Sequence, residues 1–210
     1  MDQRTDEQLF ADYRRGDTDA FRTLIDRFHD DLLRFLIRLV GGRQAAEDVF
    51  QETFLQIHTS GDSFDVERRF RPWLFTIAAN KGRDYLRRKG RRQVMELSAP
   101  ISGGGDGEGA SFIDLLRVDV PPPASGLEAG ERDRQVQEAL AGLSHPLREI
   151  LLLSYFNRLT YAQIAEELSI PLGTVKSRLH AAVASFAKRW SEVGKETSDA
   201  ATKRRSDGGE

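Results

Sequence analysis

Few side chains in this sequence have the types and spacing needed for covalent or metal chemistry. Cysteine is absent from the 210 residues, which excludes disulfides, thiolate catalysis and cysteine-based zinc sites. The four histidines form no ligand spacing. The carboxylates Glu47, Asp48 and Glu52 could bind a metal only if other helices supplied further ligands. We therefore predict no catalytic residue, metal or cofactor, and expect the charged side chains to act by binding partners.

The clearest binding pattern is a basic helical hairpin over residues 159–189. Thr160 can cap a first helix, and Ser169-Ile170-Pro171 makes a turn that no helix continues through unbroken. The second helix has no acidic residue before Trp190. This pattern is typical of a helix-turn-helix that reads DNA, although a packed hairpin with a solvated basic face has the same spacing. The candidate DNA contacts at its start are Thr174, Lys176, Ser177, Arg178 and His180.

A second cationic segment covers residues 69–92. We expect its helix to begin at about Phe70 or Arg71, because Pro72 is tolerated only in a first turn. Cations for phosphate interleaved with flat or amide side chains for bases suit single-stranded or partly melted nucleic acid. Cations favoured at a helix C-terminus would explain the end of this run but not its length. The interleaved residues are Phe70, Trp73, Phe75, Asn80 and Tyr85, and the cations include Lys81, Arg83, Arg87 and Arg88.

A predicted helix over residues 43–59 has two different faces. Its apolar set faces one way, and a stripe of two acids, an amide and a leucine faces the other. Such a stripe could dock a basic partner helix, but spacing alone favours an ordinary solvated face. The apolar set is Ala46, Val49, Phe50, Thr53 and Ile57, and the stripe is Asp48, Gln51, Glu52 and Leu55.

The helical periodicity predicts an all-α fold with two small helical domains joined by a flexible linker, the second domain containing the helix-turn-helix. The intervening glycine, serine and a proline triplet cannot bury enough apolar surface to fold. No apolar run could span a bilayer and the N-terminus lacks a signal-peptide core, so we expect a cytoplasmic protein. The predicted plan is domain 1–92, linker 93–126, domain 127–190 and disordered tail 191–210.

Three segments in this order resemble a bacterial RNA polymerase sigma factor of the extracytoplasmic-function type, in the sigma-70 family. AEDVFQETFLQIH is similar to the family's polymerase-binding helix, and FRPWLFTIAANKGRDYLRRK to its promoter-melting helix. GLSHPLREILLLSYFNRLTYAQIAEELSIPLGTVKSRLH is similar to its reader of the upstream promoter element. The resemblance covers residues 5–92 and 127–190, and it implies an initiation factor that directs core polymerase to promoters and helps to melt them.

The resemblance also implies roles for individual residues. It favours docking of the acidic stripe on the core enzyme, and so reverses the interpretation from spacing alone. It implies that the first domain binds the melted minus-10 strand with a base flipped from the stack, and that the hairpin reads the minus-35 element in duplex DNA. The implied minus-10 residues are Ser63, Phe64, Asp65, Asn80, Lys81, Arg87 and Arg88, whereas Trp73 is expected in the core.

Further partners follow from the same resemblance. We expect an anti-sigma factor as a regulator and a monomer when the protein is free. The alternative is a stand-alone helix-turn-helix regulator, which would bind a palindromic duplex as a dimer without polymerase. One departure from the family concerns the reading helix, which continues with Ala181, Ala182 and Val183 where many relatives alternate arginines. We expect a weaker phosphate grip there.

Overall fold

The computed structural model describes residues 2–61, 64–65, 68–96, 127–157 and 159–206. These residues form eight helices and no strand, which confirms the predicted all-α fold. In chain order the helices are α1 (Asp6–Arg14), α2 (Thr18–Val40), α3 (Arg43–Ser60), α4 (Phe70–Glu96), α5 (Leu127–Ala141), α6 (His145–Asn157), α7 (Tyr161–Glu167) and α8 (Leu172–Ser206).

Contacts group the described residues into two compact units. Residues before 97 form the first unit together with 152–175, and residues 127–151 form the second together with 176–206. This grouping divides α6 and α8 between the units, whereas the sequence predicted one domain over 127–190. The predicted domain boundaries therefore stay a prediction. The predicted linker lies outside the described residues from residue 97 onward.

Local sequence signals set the helix ends. Thr5 and Thr160 each form a capping box. The threonine side-chain oxygen accepts the backbone N–H of a glutamine three residues later, and that glutamine side chain accepts the backbone N–H of the threonine. The Asp17 carboxylate accepts the N–H groups of Asp19 and Ala20 at the start of α2. Gly41 ends α2 with φ at 85°, a left-handed conformation that glycine adopts without a steric penalty. The cap at Thr160 agrees with the sequence prediction.

Two helices run further than the sequence suggested. α4 continues through Glu96, although we predicted a linker from residue 93. α8 continues to Ser206, although we predicted a disordered tail after Trp190. The reason is the same in both places: no proline or pair of glycines interrupts these stretches, so a polar composition without periodicity does not end the helix.

The core of the first unit is built on one face of α2. Its apolar residues recur at intervals of three and four, and their side chains pack against α1, α3 and α4. The buried members of this face are Leu24, Phe28, Leu32, Phe35, Leu36 and Leu39. Their spacing by three and four is visible in the sequence, so the element that positions both α3 and α4 is readable from it.

Gly82 lies where α4 packs closely against α2. A Cβ atom added there would lie 2.6 Å from Leu39 Cδ2, and the Leu39 side chain is completely buried. We expect Gly82→Ala to lower the free energy of unfolding by about 1–3 kcal/mol, because overpacking outweighs the better helix propensity of alanine. Gly90→Ala is the matched control on α4, since a Cβ there meets nothing within 4 Å. Urea unfolding of both variants tests this, and equal stabilities would contradict it.

An ion pair on α2 holds the start of α4. Asp31 accepts hydrogen bonds from Arg71 at 2.9 Å and Arg34 at 2.8 Å, and the Arg71 guanidinium lies 5.0 Å from the Phe75 ring centroid. Burial alone would raise the pKa of Asp31, but the bonds from Arg71 and Arg34 outweigh it and hold that pKa below its usual value. Asp31 therefore stabilises the folded state as a charged group.

The Asp31 pair should give a pH-dependent stability. Because the folded pKa is depressed, the contribution is complete above the ordinary aspartate pKa of about 3.9 and disappears as pH falls through the lower folded value. We expect Asp31→Asn to cost up to about 1 kcal/mol at pH 7, since the pair is partly exposed, and progressively less at acid pH. Urea unfolding across this pH range measures the slope, with Asp26→Asn at an exposed position of α2 as control. A cost independent of pH would contradict the assignment.

Candidate functional site

The acidic stripe of α3 lies on an exposed surface. Leu55 is 63% exposed, the highest value among the exposed large apolar side chains of the described residues, and Asp48 and Gln51 are also exposed. Glu52 is half-buried. The opposite face packs into the core, where Ala46, Val49, Thr53 and Ile57 are completely buried and Phe50 is half-buried. The predicted division of α3 into two faces is thus present, with an apolar side chain at the exposed end of an acidic row.

Two residues of the stripe helix contact the basic face of α4. Arg88 donates to both carboxylate oxygens of Glu52, at 3.0 and 3.2 Å. One turn further along α3, Gln56 accepts a hydrogen bond from Lys81 Nζ at 3.0 Å. The candidate polymerase-binding and minus-10 residues therefore meet along one seam between α3 and α4. Helical spacing within α3 or within α4 carries no sign of this contact.

Only some of the side chains predicted to bind nucleic acid on α4 are exposed. Asn80, Arg87 and Arg88 are exposed, and Arg87 pairs with Asp84 at 3.0 Å. Phe70 and Phe75, however, are at most 1% exposed. The expectation that these two rings stack on bases is wrong, because they belong to the core that holds α4 against α1 and α2. Trp73 and Tyr85 are half-buried, and Trp73 packs among core rings as expected.

The loop before α4 contains the other candidate minus-10 residues. The Phe64 side chain is only 4% exposed and its ring lies 4.6 Å from that of Trp73, so it supports the loop from inside. Asp65 is exposed, and its carbonyl accepts the N–H of Arg68 at 3.0 Å. Ser63 lies outside the described residues. The loop can present Asp65 to a strand while the Phe64 ring anchors it.

The helix-turn-helix has the predicted local form. α7 ends at a turn in which Ser169 has a positive φ of 52°, and α8 begins at Leu172, slightly before the expected start at Gly173. Val175 and Leu179 are buried, which sets the inner face of α8. Lys176 and Ser177 are exposed, whereas Thr174, Arg178 and His180 are half-buried.

The backbone N–H of Thr174 contributes little to binding an anion at the start of α8. Its N–H already donates to the Pro171 carbonyl at 2.9 Å. A phosphate beside Thr174 would therefore be met by the hydroxyl group. The exposed Lys176 ammonium is the neighbouring group best suited to a phosphate, and the half-buried Arg178 guanidinium has the planar donors that a base edge requires.

Sequence reasoning missed three residues of α1 that contact this region. Glu7 accepts the backbone N–H of Phe70 at 3.0 Å, Phe10 packs on the rings around Phe64, and Arg14 Nη1 donates to the Phe64 carbonyl at 3.4 Å. They lie 50 or more residues from their partners along the chain. Helical periodicity reports only neighbours within a few turns, so it carries no signal for such contacts.

The described residues also set limits on other kinds of site. Among them, no three histidine, aspartate or glutamate side chains come together in a way that could hold a metal ion. None of the helices in these ranges is both long enough and apolar enough to cross a membrane.

Two family models match the chain. Sigma-70 region 2 matches residues 24–92, and sigma-70 region 4 matches residues 133–185. The first match contains the acidic stripe and the basic surface of α4, and the second contains the helix-turn-helix. A stand-alone helix-turn-helix regulator would need only the region 4 match and not the region 2 match.

Individual relatives agree with these matches. The chain is 32% identical over 167 residues to the ECF RNA polymerase sigma factor SigW of Bacillus subtilis, covering 80% of this chain and 87% of that protein. It is 33% identical over 178 residues to the ECF RNA polymerase sigma-E factor of Haemophilus influenzae, covering 85% and 91%.

A solved structure shares the fold. The sigma factor RpoE of Bartonella quintana, in complex with the anti-sigma factor NepR, superposes with a TM-score of 0.57 at 24% identity, covering 83% of this chain and 96% of that one. Taken with the matches to regions 2 and 4, the extent and identity of these relatives place the chain in the sigma-70 family, among the ECF RNA polymerase sigma factors that direct promoter recognition.

Proposed function

We propose that this sigma factor acts as a dissociable initiation factor whose two predicted domains bind different partners. The first would bind core polymerase and open the minus-10 element, and the second would anchor the complex at the minus-35 element. The observation that carries the proposal is the seam between α3 and α4, where an exposed acidic and apolar row adjoins exposed arginines. The acidic and apolar row is suited to a basic protein helix, and the arginines are suited to a nucleic-acid strand.

The acidic stripe is the proposed polymerase contact. Gln51 and Asp48 are exposed polar groups one and two turns from Leu55, whose exposed side chain would be covered on binding. An apolar anchor beside acids is the arrangement expected of an interface with a basic helix, because burial supplies affinity and charge supplies orientation. Glu52 would contribute after exchanging its partner Arg88 for a polymerase cation.

Capture of the melted strand would use the outer surface of α4 and the preceding loop. Arg87 and Arg88 can bind phosphates, and Asn80, Lys81 and Asp65 have the polar groups needed to hold an unstacked base. Ser63 belongs to the same proposed pocket on the resemblance alone. The energy for opening comes from binding, since contact with each captured base contributes about 1–3 kcal/mol toward the cost of unpairing.

Recognition of the minus-35 element is proposed for the first turns of α8. Lys176, Ser177 and Arg178 would reach base edges and phosphates in the major groove, with Thr174 and His180 at the margins of the contact. The helix continues with Ala181, Ala182 and Val183, so its phosphate contacts are concentrated at the N-terminal end. Such an anchor would be weak without polymerase.

No covalent reaction is part of this proposal, and we expect the protein to act in the cytoplasm with core polymerase. Two solved structures that share the fold are complexes: RpoE is bound to the anti-sigma factor NepR, and CnrH to the cytosolic domain of CnrY. We propose that an anti-sigma factor regulates this chain too, by covering surfaces that polymerase needs.

Run-off transcription tests the proposed function. Purified core polymerase, the full chain and a pool of promoter fragments should give transcripts that start at a subset of fragments sharing two upstream elements. Core polymerase alone is the control. Failure to initiate on any fragment, with the protein folded and bound to core, would overturn the proposal. Tight dimeric binding to a palindromic duplex without polymerase would favour a stand-alone regulator instead.

A further inference from the structure

The first helix, α1, lies outside the part of the chain that matches sigma-70 region 2, since that match begins at residue 24. The sequence pattern of α1 indicates a short amphipathic helix that packs on the core, with no further role. Its buried face is small, with Leu9 and Phe10 completely buried. The polar side chains beside that face nevertheless make specific contacts with the loop before α4 and with the first residue of α4.

Glu7 supplies the first of these contacts. An α-helix begins with backbone N–H groups that have no partner within the helix. Arg69 stands just before α4, and its guanidinium has no acceptor, so it cannot cap the helix as Thr5 caps α1. Glu7 Oε1 accepts the N–H of Phe70 at 3.0 Å instead. Burial raises the pKa of Glu7, but this hydrogen bond helps to bring it below the usual value, as expected for a charged acceptor.

Phe10 supplies the second contact. Its ring centroid lies 5.2 Å from Phe64, 5.0 Å from Phe70 and 5.5 Å from Trp73, within the range of favourable aromatic pairs. A Cβ on Gly61, at the end of α3, would lie 3.3 Å from Phe10 Cζ. Phe10 therefore packs against both ends of the loop and against the ring that anchors its middle.

Arg14 supplies the third contact, one turn beyond Phe10. Its Nη1 donates to the carbonyl of Phe64 at 3.4 Å. Phe64 and Asp65 belong to the loop proposed to hold the displaced base, so this bond fixes the backbone beside the pocket. The contacts of Glu7, Phe10 and Arg14 together join the start of α4 and the loop to a single short helix.

We infer that α1 is a positioning element of the promoter-opening site, in which Glu7, Phe10 and Arg14 fix the loop at Phe64 and the start of α4 for capture of the displaced base. The inference rests on the proposed function. Its physical basis is preorganisation: a loop that is already in its binding conformation does not lose conformational freedom when it takes up the base. α1 thus acts on the rate of opening and on base preference, without touching the strand.

Kinetics of promoter opening provide the test. The full chain is combined with core polymerase and a promoter carrying 2-aminopurine in the minus-10 element, whose fluorescence rises when the base leaves the stack. We expect Glu7→Ala and Arg14→Ala each to slow the rise, and the double variant to slow it about tenfold and to weaken discrimination between bases at the captured position, as loss of a cap and of a loop contact would do. Affinity for core polymerase should stay within about twofold of wild type.

Two further variants separate positioning from general stability. Arg15→Ala removes the same charge from the next position, the C-cap of α1, where the Arg15 side chain donates to Asp12 and to the Ala11 carbonyl, and it should open promoters like wild type. Glu7→Gln keeps an acceptor oxygen and should restore most of the rate. A merely destabilised protein would lower the fluorescence amplitude and core binding together, leaving rate and base preference unchanged.

The outcomes also distinguish this inference from the proposed function. If wild-type holoenzyme opens promoters and Arg14→Ala behaves like Arg15→Ala, the positioning role of Arg14 is overturned. If Glu7→Gln is as slow as Glu7→Ala, the acceptor at Phe70 is not what matters and the role of Glu7 is overturned. If wild-type holoenzyme gives no fluorescence change at any promoter, the proposed function itself fails.

Discussion

Charge reversal on the acidic stripe should remove binding to core polymerase. We expect Asp48→Arg with Glu52→Arg to weaken the affinity by roughly hundredfold or more, because two attractive contacts would become repulsive at the centre of the proposed interface. Fluorescence anisotropy of the labelled full chain, titrated with core enzyme, measures the loss. Its affinity for a duplex carrying the upstream element should not fall, because the substitutions remove no cation from the DNA-binding residues.

The contact between Glu52 and Arg88 requires an additional variant. Arginine at position 52 would face Arg88, so part of the effect of the double variant could come from α4. Asp48→Arg alone leaves that pair in place and should still cost at least tenfold. Asp26→Arg with Asp30→Arg changes the net charge equally at exposed positions of α2 and should bind normally. Equal loss in this control would mean that overall charge, and not the stripe, governs docking.

Arg178→Ala should have the second largest effect. If its guanidinium reads a base edge, the substitution should cost about 1–3 kcal/mol at the preferred promoter and relax preference at one upstream position. Holoenzyme binding to a set of single-base promoter variants measures both quantities. Lys176→Ala, by comparison, should weaken binding to all promoter variants alike and make the salt dependence of binding less steep, as loss of a phosphate contact does.

Lys188→Ala is the control for this experiment. Lys188 is an exposed cation further along the same helix, outside the residues proposed to enter the groove. We expect it to change neither affinity nor preference by more than a few tenths of a kcal/mol. A uniform loss for Arg178→Ala over all promoter variants would show that Arg178 contacts phosphate, and the base reader would then have to be sought among its neighbours.

Most of the fold could be predicted because its signals are local. A cap at Thr160, a glycine stop at Gly41 and a row of leucines and phenylalanines along α2 each act within one or two turns. The stripe on α3 was equally local, since helical spacing alone places Asp48 and Leu55 on one surface. Spacing does not identify the partner of the stripe, and core polymerase was inferred from the resemblance to the family.

The errors have a common physical cause. Phe70 and Phe75 read as base-stacking residues because they alternate with cations, yet both are buried where α4 packs against more than one helix. Their burial depends on α1 and α2, which no spacing within α4 reveals. The bond from Glu7 to Phe70 joins positions 63 residues apart, and it is likewise a product of the assembled fold.

The Arg88–Glu52 pair has a consequence for how DNA binding responds to ions. DNA binding gains free energy when cations condensed on the duplex are released, and an arginine already neutralised by a carboxylate releases fewer of them. The Arg88 and Glu52 side chains are 47% and 40% exposed, so their pair is weak and exchanges partners at little cost. Once polymerase takes Glu52, Arg88 becomes a full counterion for phosphate. The salt dependence of promoter binding should therefore be steeper for the holoenzyme than for the free sigma factor.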